Sequence, residues 1–207
     1  MRQGIALVLS APSGTGKSTL CRMLRREFPD FGYSISCTTR PMRAGEENGR
    51  EYFFLSRPDF ERMRETGEFA EWAQVHGHLY GTPLAPVKSM LESGVNVLFD
   101  IDVQGAAQLK TTLPDATFVF ILPPDMRELR RRLESRGMDD ETSIQLRLQN
   151  ALAEIREAFW YNSIIVNDTL ENAYAELRAV FIAARLAPAH NMKILENILE
   201  DAEKFHA

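Results

Sequence analysis

Short apolar runs without polar alternation recur along the chain at residues 5–9, 95–99, 118–122 and 164–166, separated by longer stretches of helical periodicity. Such runs read as strands buried on both faces, the pattern of a parallel sheet covered by helices. Periodicity over 19–28, 104–111, 125–134, 142–158 and 170–186 supplies the covering helices, which makes the framework α/β with a central parallel sheet. Two regions break the rhythm. From about 33 to 91 the chain turns polar and aromatic, with short alternating pieces at Glu51-Tyr52-Phe53-Phe54-Leu55 and Phe69-Ala70-Glu71-Trp72-Ala73, consistent with a small mixed insertion. From about 125 to 157 lies a second, arginine-dense helical insertion. There Asp125 and Glu128 make a capping-box-like start, Met126, Leu129 and Leu133 form a buried stripe, and Ile144, Leu148, Leu152 and Ile155 face inward from the next helix. The core is then about 1–32, 92–124 and 158–207. After Pro188, Met192, Leu195, Ile198 and Leu199 share one helical face, expected to pack on the core or on a second subunit.

The first strand runs directly into Ala11-Pro12-Ser13-Gly14-Thr15-Gly16-Lys17-Ser18, a P-loop pattern with alanine at the first glycine position, followed by Thr19 and a helix. Glycines let backbone N–H groups turn inward around phosphate oxygens, and the helix N-terminus adds a favourable dipole. Lys17 then neutralises β- and γ-phosphates, while the Ser18 hydroxyl is placed for Mg2+. Ala11 is tolerable if its φ is negative. The run at 95–99 ends in Asp100-Ile101-Asp102, at the carboxyl end of a strand, where ligands of open parallel sheets sit. Both carboxylates are expected on one side, with Asp100 able to hold Mg2+ through water.

Composition narrows the class. A chain of 207 residues with 44% apolar content can bury one substantial core. A formal net charge of −5 argues against a nucleic-acid partner and leaves anion binding to local arginine clusters. Cys21 and Cys37 are too few for a disulfide framework and read as reduced thiols, and neither a membrane span nor a leader pattern is visible, so the expectation is a cytoplasmic protein. His76-Gly77-His78 lacks further ligands at metal spacing and reads as a structural or edge-strand segment.

Six further stretches carry a resemblance: Ser36-Cys37-Thr38-Thr39-Arg40-Pro41-Met42-Arg43-Ala44-Gly45-Glu46, Gly49-Arg50-Glu51-Tyr52, Glu71-Trp72-Ala73, Tyr80-Gly81-Thr82, Asp100-Ile101-Asp102-Val103-Gln104-Gly105, and Arg132-Leu133-Glu134-Ser135-Arg136-Gly137. With the P-loop and Val166-Asn167-Asp168, they closely resemble the guanylate kinases, in order and over nearly the whole chain. The resemblance implies a P-loop NTPase-type core, a small mixed insertion that binds a nucleoside monophosphate, and an arginine-bearing helical lid. The reaction it implies is transfer of the γ-phosphoryl of ATP to GMP with Mg2+, in purine nucleotide metabolism. It assigns the acceptor phosphate to Arg40, Arg43, Tyr52 and Tyr80, guanine to Glu71 with Ser36, Thr82 and Asp102, and further acceptor-side positions to Glu46 and Asp100. It places Lys17, Arg136 and Arg147 on the transferring phosphoryl, and Arg132 and Asn167 beside the adenine of ATP.

The chemistry of these residues is compatible with that assignment. Arg40 and Arg43 are fixed-charge forks suited to a dianionic monophosphate, and guanine's N1–H and N2–H2 donors suit a carboxylate next to a hydroxyl. Arg127, Arg130 and Arg131 read as surface charge. Two other classes stay open: a peptide-binding module built on the same fold, against which Lys17, Ser18, Arg136 and Arg147 argue, and a kinase acting on ribose 1,5-bisphosphate, against which Ser36, Glu71 and Thr82 argue.

Overall fold

The apolar runs at 5–9, 95–99, 118–122 and 164–166 all become strands of one sheet in the computed structural model, which describes residues 2–135 and 140–205. In chain order the elements are β1 (Ala6–Ser10), α1 (Lys17–Glu27), β2 (Phe31–Gly32), β3 (Cys37–Thr38), β4 (Phe53–Phe54), α2 (Arg57–Glu65), β5 (Phe69–Val75), β6 (His78–Pro83) and α3 (Leu84–Glu92). There follow β7 (Asn96–Asp100), α4 (Val103–Thr112), β8 (Thr117–Leu122), α5 (Met126–Glu134), α6 (Glu141–Arg156), β9 (Ser163–Val166), α7 (Leu170–Leu186) and α8 (Met192–Phe205). Five parallel strands in the order β2-β7-β1-β8-β9 form the main sheet.

Alternation along each central strand divides the core. Ile5, Leu7, Leu9, Val119 and Ile121 point into a cluster closed by Leu20 and Leu24 of α1 and by Leu177 and Phe181 of α7. Ala6, Val8, Phe118 and Phe120 point the other way, onto Val87 of α3 and Ala106 and Leu109 of α4. A period of two thus sends one apolar run into two separate cores, as buried parallel strands require. The edge strand β9 departs from the expectation of burial on both faces: Ile165 is buried, but Ile164 and Val166 are 50% and 42% exposed. Only the Ile165 face meets the cluster that α7 closes.

The polar, aromatic region forms a second sheet, β4-β3-β6-β5, which mixes parallel and antiparallel pairs around a small cluster of Cys37, Phe60, Phe69 and Leu79. It is tied to the main body by α4: Gln108 donates to the Trp72 carbonyl at 2.8 Å and accepts from the Trp72 N–H at 2.9 Å. The helix α3, inside the span read as insertion, contributes Val87 to the core cluster of the main sheet. Both cysteines are buried and unbridged, with their thiols pushed up by burial, Cys21 to about 12 and Cys37 to about 11.

In the arginine-rich region α5 and α6 pack through Leu129, Leu133 and Ala151, with Met126 and Leu148 alongside. Asp125 caps α5 by accepting from the Glu128 N–H at 2.8 Å, while the Glu128 carboxylate turns to Arg131 and Arg132 rather than back to the cap. The inward stripe of α6 differs from the sequence reading by one position. Ile144, Leu148, Ala151 and Ile155 follow one face, whereas Leu152, eight residues from Ile144 and thus about 80° around the helix, is 45% exposed. Arg130 bridges the two helices by pairing with Glu134 and Glu141, each at 2.7 Å. The α8 stripe does not pack on the core: Met192, Leu195, Ile198 and Leu199 are all exposed. No helix among the described residues is long and apolar enough to cross a membrane.

Candidate active site

Where β1 ends, the backbone turns through Gly14 at φ 94° and Gly16 at φ 96°, left-handed conformations that favour glycine. A Cβ at Gly16 would lie 2.5 Å from Nδ2 of Asn167, so a side chain here would push that amide off the Thr15 carbonyl. Ala11 is not among the positive-φ residues, which is why alanine serves at the first position of the motif. Gly16 caps α1 without any side-chain hydrogen bond, and no acid occupies the first turn. In α4, α5 and α6, by contrast, the N-caps Asp102, Asp125 and Asp140 each accept from a first-turn N–H. The Thr19 N–H turns back to the Gly16 carbonyl at 3.0 Å, which leaves the Lys17 and Ser18 N–H groups of the first turn to an anion.

The loop is braced from behind. The Thr15 hydroxyl donates to the Pro12 carbonyl at 2.8 Å, and buried Asn167 donates from Nδ2 to the Thr15 carbonyl at 2.6 Å. Arg132, held by Glu128 at 2.7 Å, donates to the Asn167 carbonyl at 3.0 Å. Asn167 and Arg132 therefore form a chain that positions the loop, with the Asn167 amide already engaged there. Residues 11–19 together with Asp102 and Glu154 enclose a cavity of about 360 Å3.

Lys17 bridges this cradle and its neighbour. Its ammonium donates to the Ile101 carbonyl at 2.7 Å and pairs with Asp100 at 2.8 Å. Asp100 and Ser18 line a second cavity of about 430 Å3, shared with Ser36, Glu71 and Thr82. Ser18 and Asp100 offer hard oxygen donors beside the phosphate cradle, and no group of three or more His, Cys, Asp or Glu able to hold a metal occurs among the described residues. That donor set fits Mg2+, which retains most of its water and shares its remaining positions with phosphate. The two carboxylates expected on one side line different cavities. β7 ends at Asp100, so the period of two does not extend to Asp102, whose Oδ1 instead accepts from the Gly105 N–H at 2.8 Å.

In the second sheet, Glu71 and Thr82 face each other across β5 and β6, and the buried Thr82 hydroxyl donates to Glu71 Oε1 at 2.5 Å. Burial pushes the Glu71 carboxyl above its ordinary value, the Thr82 bond opposes that shift, and Asp102 adds to it. Arg40 lies over the Tyr52 ring at 5.5 Å, and Tyr52 and Tyr80 meet edge-to-face at 5.9 Å. Both oxygens of Glu46 are engaged by this loop, one by Arg40 and one by the Arg43 N–H, each at 2.7 Å. Those bonds hold the Arg40 guanidinium in place, and the Arg43 side chain stays exposed. Arg40, Tyr52 and Tyr80 thus form one cluster, and the half-buried Glu71 with Thr82 forms another that shares its cavity with Ser36 but with none of those three.

A family model described as guanylate kinase matches residues 3–184. This chain belongs to the guanylate kinase family. Among curated relatives, a guanylate kinase of Lawsonia intracellularis is 55% identical over 197 residues, covering 95% of this chain and 93% of its own. One from Oleidesulfovibrio alaskensis is 56% identical over 200 residues, with 97% of each chain covered. Among solved structures, the guanylate kinase of Anaplasma phagocytophilum superposes with a TM-score of 0.64 at 32% identity, over 92% of this chain and 90% of that one.

For a guanylate kinase family member, two features lie outside what the motifs announce. Arg147 stands on α6, half-buried, and Arg136 lies outside the described residues. Glu154, on the same helix and seven residues after Arg147, enters the phosphate cradle, although no motif names it. The signal for it is the two-turn spacing, which places the two side chains within about 20° of one helix face. The bracing role of Asn167 was equally hidden, because the partner that defines it is 152 residues away.

Proposed function

We propose that this protein is an ATP:GMP phosphotransferase, moving the γ-phosphoryl of ATP to GMP to yield ADP and GDP. The observation that carries this reading is the pairing of Glu71 with Thr82 on the wall of a cavity whose other side is formed by Ser18 and Asp100 at the end of the P-loop. A carboxylate beside a hydroxyl complements the N1–H and N2–H2 donors of guanine. Adenine has neither the N1–H nor the N2 amino group and places its N6 donor where guanine has O6, so it cannot make the paired bonds to that carboxylate, which makes it the poorer acceptor base.

The donor triphosphate lies along residues 11–19, where the Gly14 and Gly16 turn aims N–H groups at phosphate oxygens. Lys17 exchanges its contacts with Asp100 and the Ile101 carbonyl for the β- and γ-phosphates. The acceptor phosphate is held by Arg40, Arg43, Tyr52 and Tyr80, with Glu46 keeping Arg40 oriented. Ser36 and Asp102 complete the surroundings of the base. The attacking phosphate oxygen is already ionised, so no general base is required, and neither cavity has a histidine in its wall. Arg136 and Arg147 stabilise charge on the transferring group. Ser18 and Asp100 would hold Mg2+, whose chemistry there would be neutralisation of phosphate charge.

ATP as donor and two buried, unbridged thiols suit the cytoplasm. The exposed α8 stripe fits contact with a second copy of this chain. An assay with ATP and equal concentrations of GMP, AMP and ribose 1,5-bisphosphate tests the central reading. GMP should be preferred by at least about 100-fold; equal turnover of either competitor overturns it.

A further inference from the structure

The phosphate cradle contains a carboxylate that the reaction as described does not use. Glu154 lines it with residues 11–19 and Asp102. The Glu154 side chain makes no hydrogen bond or ion pair among the described residues, although it is half-buried. It feels Asp102 as a like charge and Lys17 as an opposite one. A cavity shaped for a polyanion thus has two negative side chains in its wall. Arg147 and Glu154 leave α6 about 10 Å apart along its axis and on one face; of the two, Glu154 lines the cradle, and the proposed function is what assigns Arg147 to the phosphates.

The energetics of that arrangement depend on what accompanies the nucleotide. Metal-free ATP brings close to four negative charges, and each carboxylate within several ångströms opposes its entry in a partly desolvated cavity. Lys17 is already paired with Asp100 and the Ile101 carbonyl, so its charge is shared between Asp100 and any phosphate it meets. The metal complex carries two fewer negative charges and surrounds its cation with water that can donate to an otherwise unpaired carboxylate. We infer that Glu154 is a specificity-determining residue that makes the cradle discriminate metal-complexed ATP from metal-free ATP. Asp102 contributes less, because one of its oxygens already caps α4. Arg147 supplies attraction for either form from the same face, and Glu154 supplies the selection.

This inference rests on the assignment of the cradle to ATP, and equilibrium binding separates the two. Titrations of ATP in excess Mg2+ and in EDTA, without acceptor, give the ratio of the two dissociation constants for each variant. Glu154→Gln should reduce that ratio by about tenfold, chiefly by tightening metal-free ATP. Glu154→Asp, which keeps the charge on a shorter arm, should retain most of the ratio. Glu157→Gln, an equal change of net charge at an exposed position one turn on, should leave it unchanged. A merely structural role predicts that both dissociation constants rise together in Glu154→Gln with the ratio intact, and that result overturns the inference. Should Glu154→Gln fail to fold, the Asp variant decides, since a ratio lost despite the retained charge also overturns it. A wild-type protein that binds ATP in neither form overturns the donor assignment and this inference together; a wild type that binds with a ratio insensitive to Glu154 overturns the inference alone.

Discussion

The two halves of the cleft are built by different means. The half proposed to hold the donor is made of backbone, with two left-handed glycines, a helix start without a side-chain cap and a loop braced by Asn167. The half proposed to hold the acceptor is made of side chains already paired with one another, Arg40 with Glu46 and Glu71 with Thr82. Backbone donors suit any polyphosphate. Side-chain pairs, fixed before the ligand arrives, suit one base and one charge. The contrast suggests that affinity for phosphate resides in the first half and selectivity among monophosphates in the second, and substitutions in each should therefore fail differently.

The largest effect is expected at the only side-chain cation of the donor loop. Lys17→Met removes the charge facing the transferring group and should lower kcat by about 10^3-fold or more, with the circular dichroism of the folded protein retained. Rapid-quench turnover within tenfold of wild type would refute that role. On the acceptor side, Glu71→Gln keeps volume but sets an amide donor against a guanine donor, a cost of about 2–4 kcal/mol, or roughly 30- to 1,000-fold in kcat/KM for GMP. Steady-state kinetics at saturating ATP would show whether the loss is confined to GMP.

The same residue gives a pH test. Burial raises the Glu71 carboxyl above its ordinary 4.5, and guanine needs it ionised, so kcat/KM for GMP should begin to fall at a higher pH than an ordinary glutamate would give as the solution is acidified. The limb belonging to the GMP phosphate persists in Glu71→Gln, and the Glu71 limb should vanish. For folding the sign is opposite. A raised folded pKa means the carboxyl favours the fold below the ordinary value, and this contribution disappears as pH rises through the folded value.

Smaller effects should come from positioning. Glu46→Gln frees Arg40 from its orienting pair and should raise KM for GMP about 3- to 10-fold with kcat nearly unchanged; an equal fall in kcat would make Glu46 part of the reacting centre. Removal of 192–207 leaves Asn191 and its bonds to the Arg185 and Ala187 carbonyls intact. Kinetic constants should then change by less than about twofold, while solution mass by light scattering should fall to that of a single chain.

How far the sequence discloses this comparison follows from the same construction. A backbone cradle needs consecutive residues of special conformation, so Gly14, Gly16, Lys17 and Ser18 are legible as a string, as are the strands whose apolar runs pass through both cores. The proposed acceptor site draws on positions from Ser36 to Thr82, joined only when β6 pairs with both β3 and β5, and its legibility came through resemblance to guanylate kinases. Periodicity misplaced Leu152 because a stripe drawn at a spacing of eight drifts off the buried face that Ala151 occupies at seven. It overburied Ile164 and Val166 because an apolar run does not reveal that its strand lies at the edge of the sheet. The alternation linking Asp100 to Asp102 failed because the strand ends between them.

The division of labour between the halves is tested most directly by crossing ligands with variants. Calorimetric titration of GMP and of ATP with Mg2+, each into Lys17→Met and Glu71→Gln, yields four dissociation constants to set against wild type. Lys17→Met should bind GMP within about twofold of wild type while losing ATP affinity, and Glu71→Gln should do the reverse. A variant that weakens both ligands to the same extent would contradict the account, because donor and acceptor sites would then share the determinants assigned here to one side each.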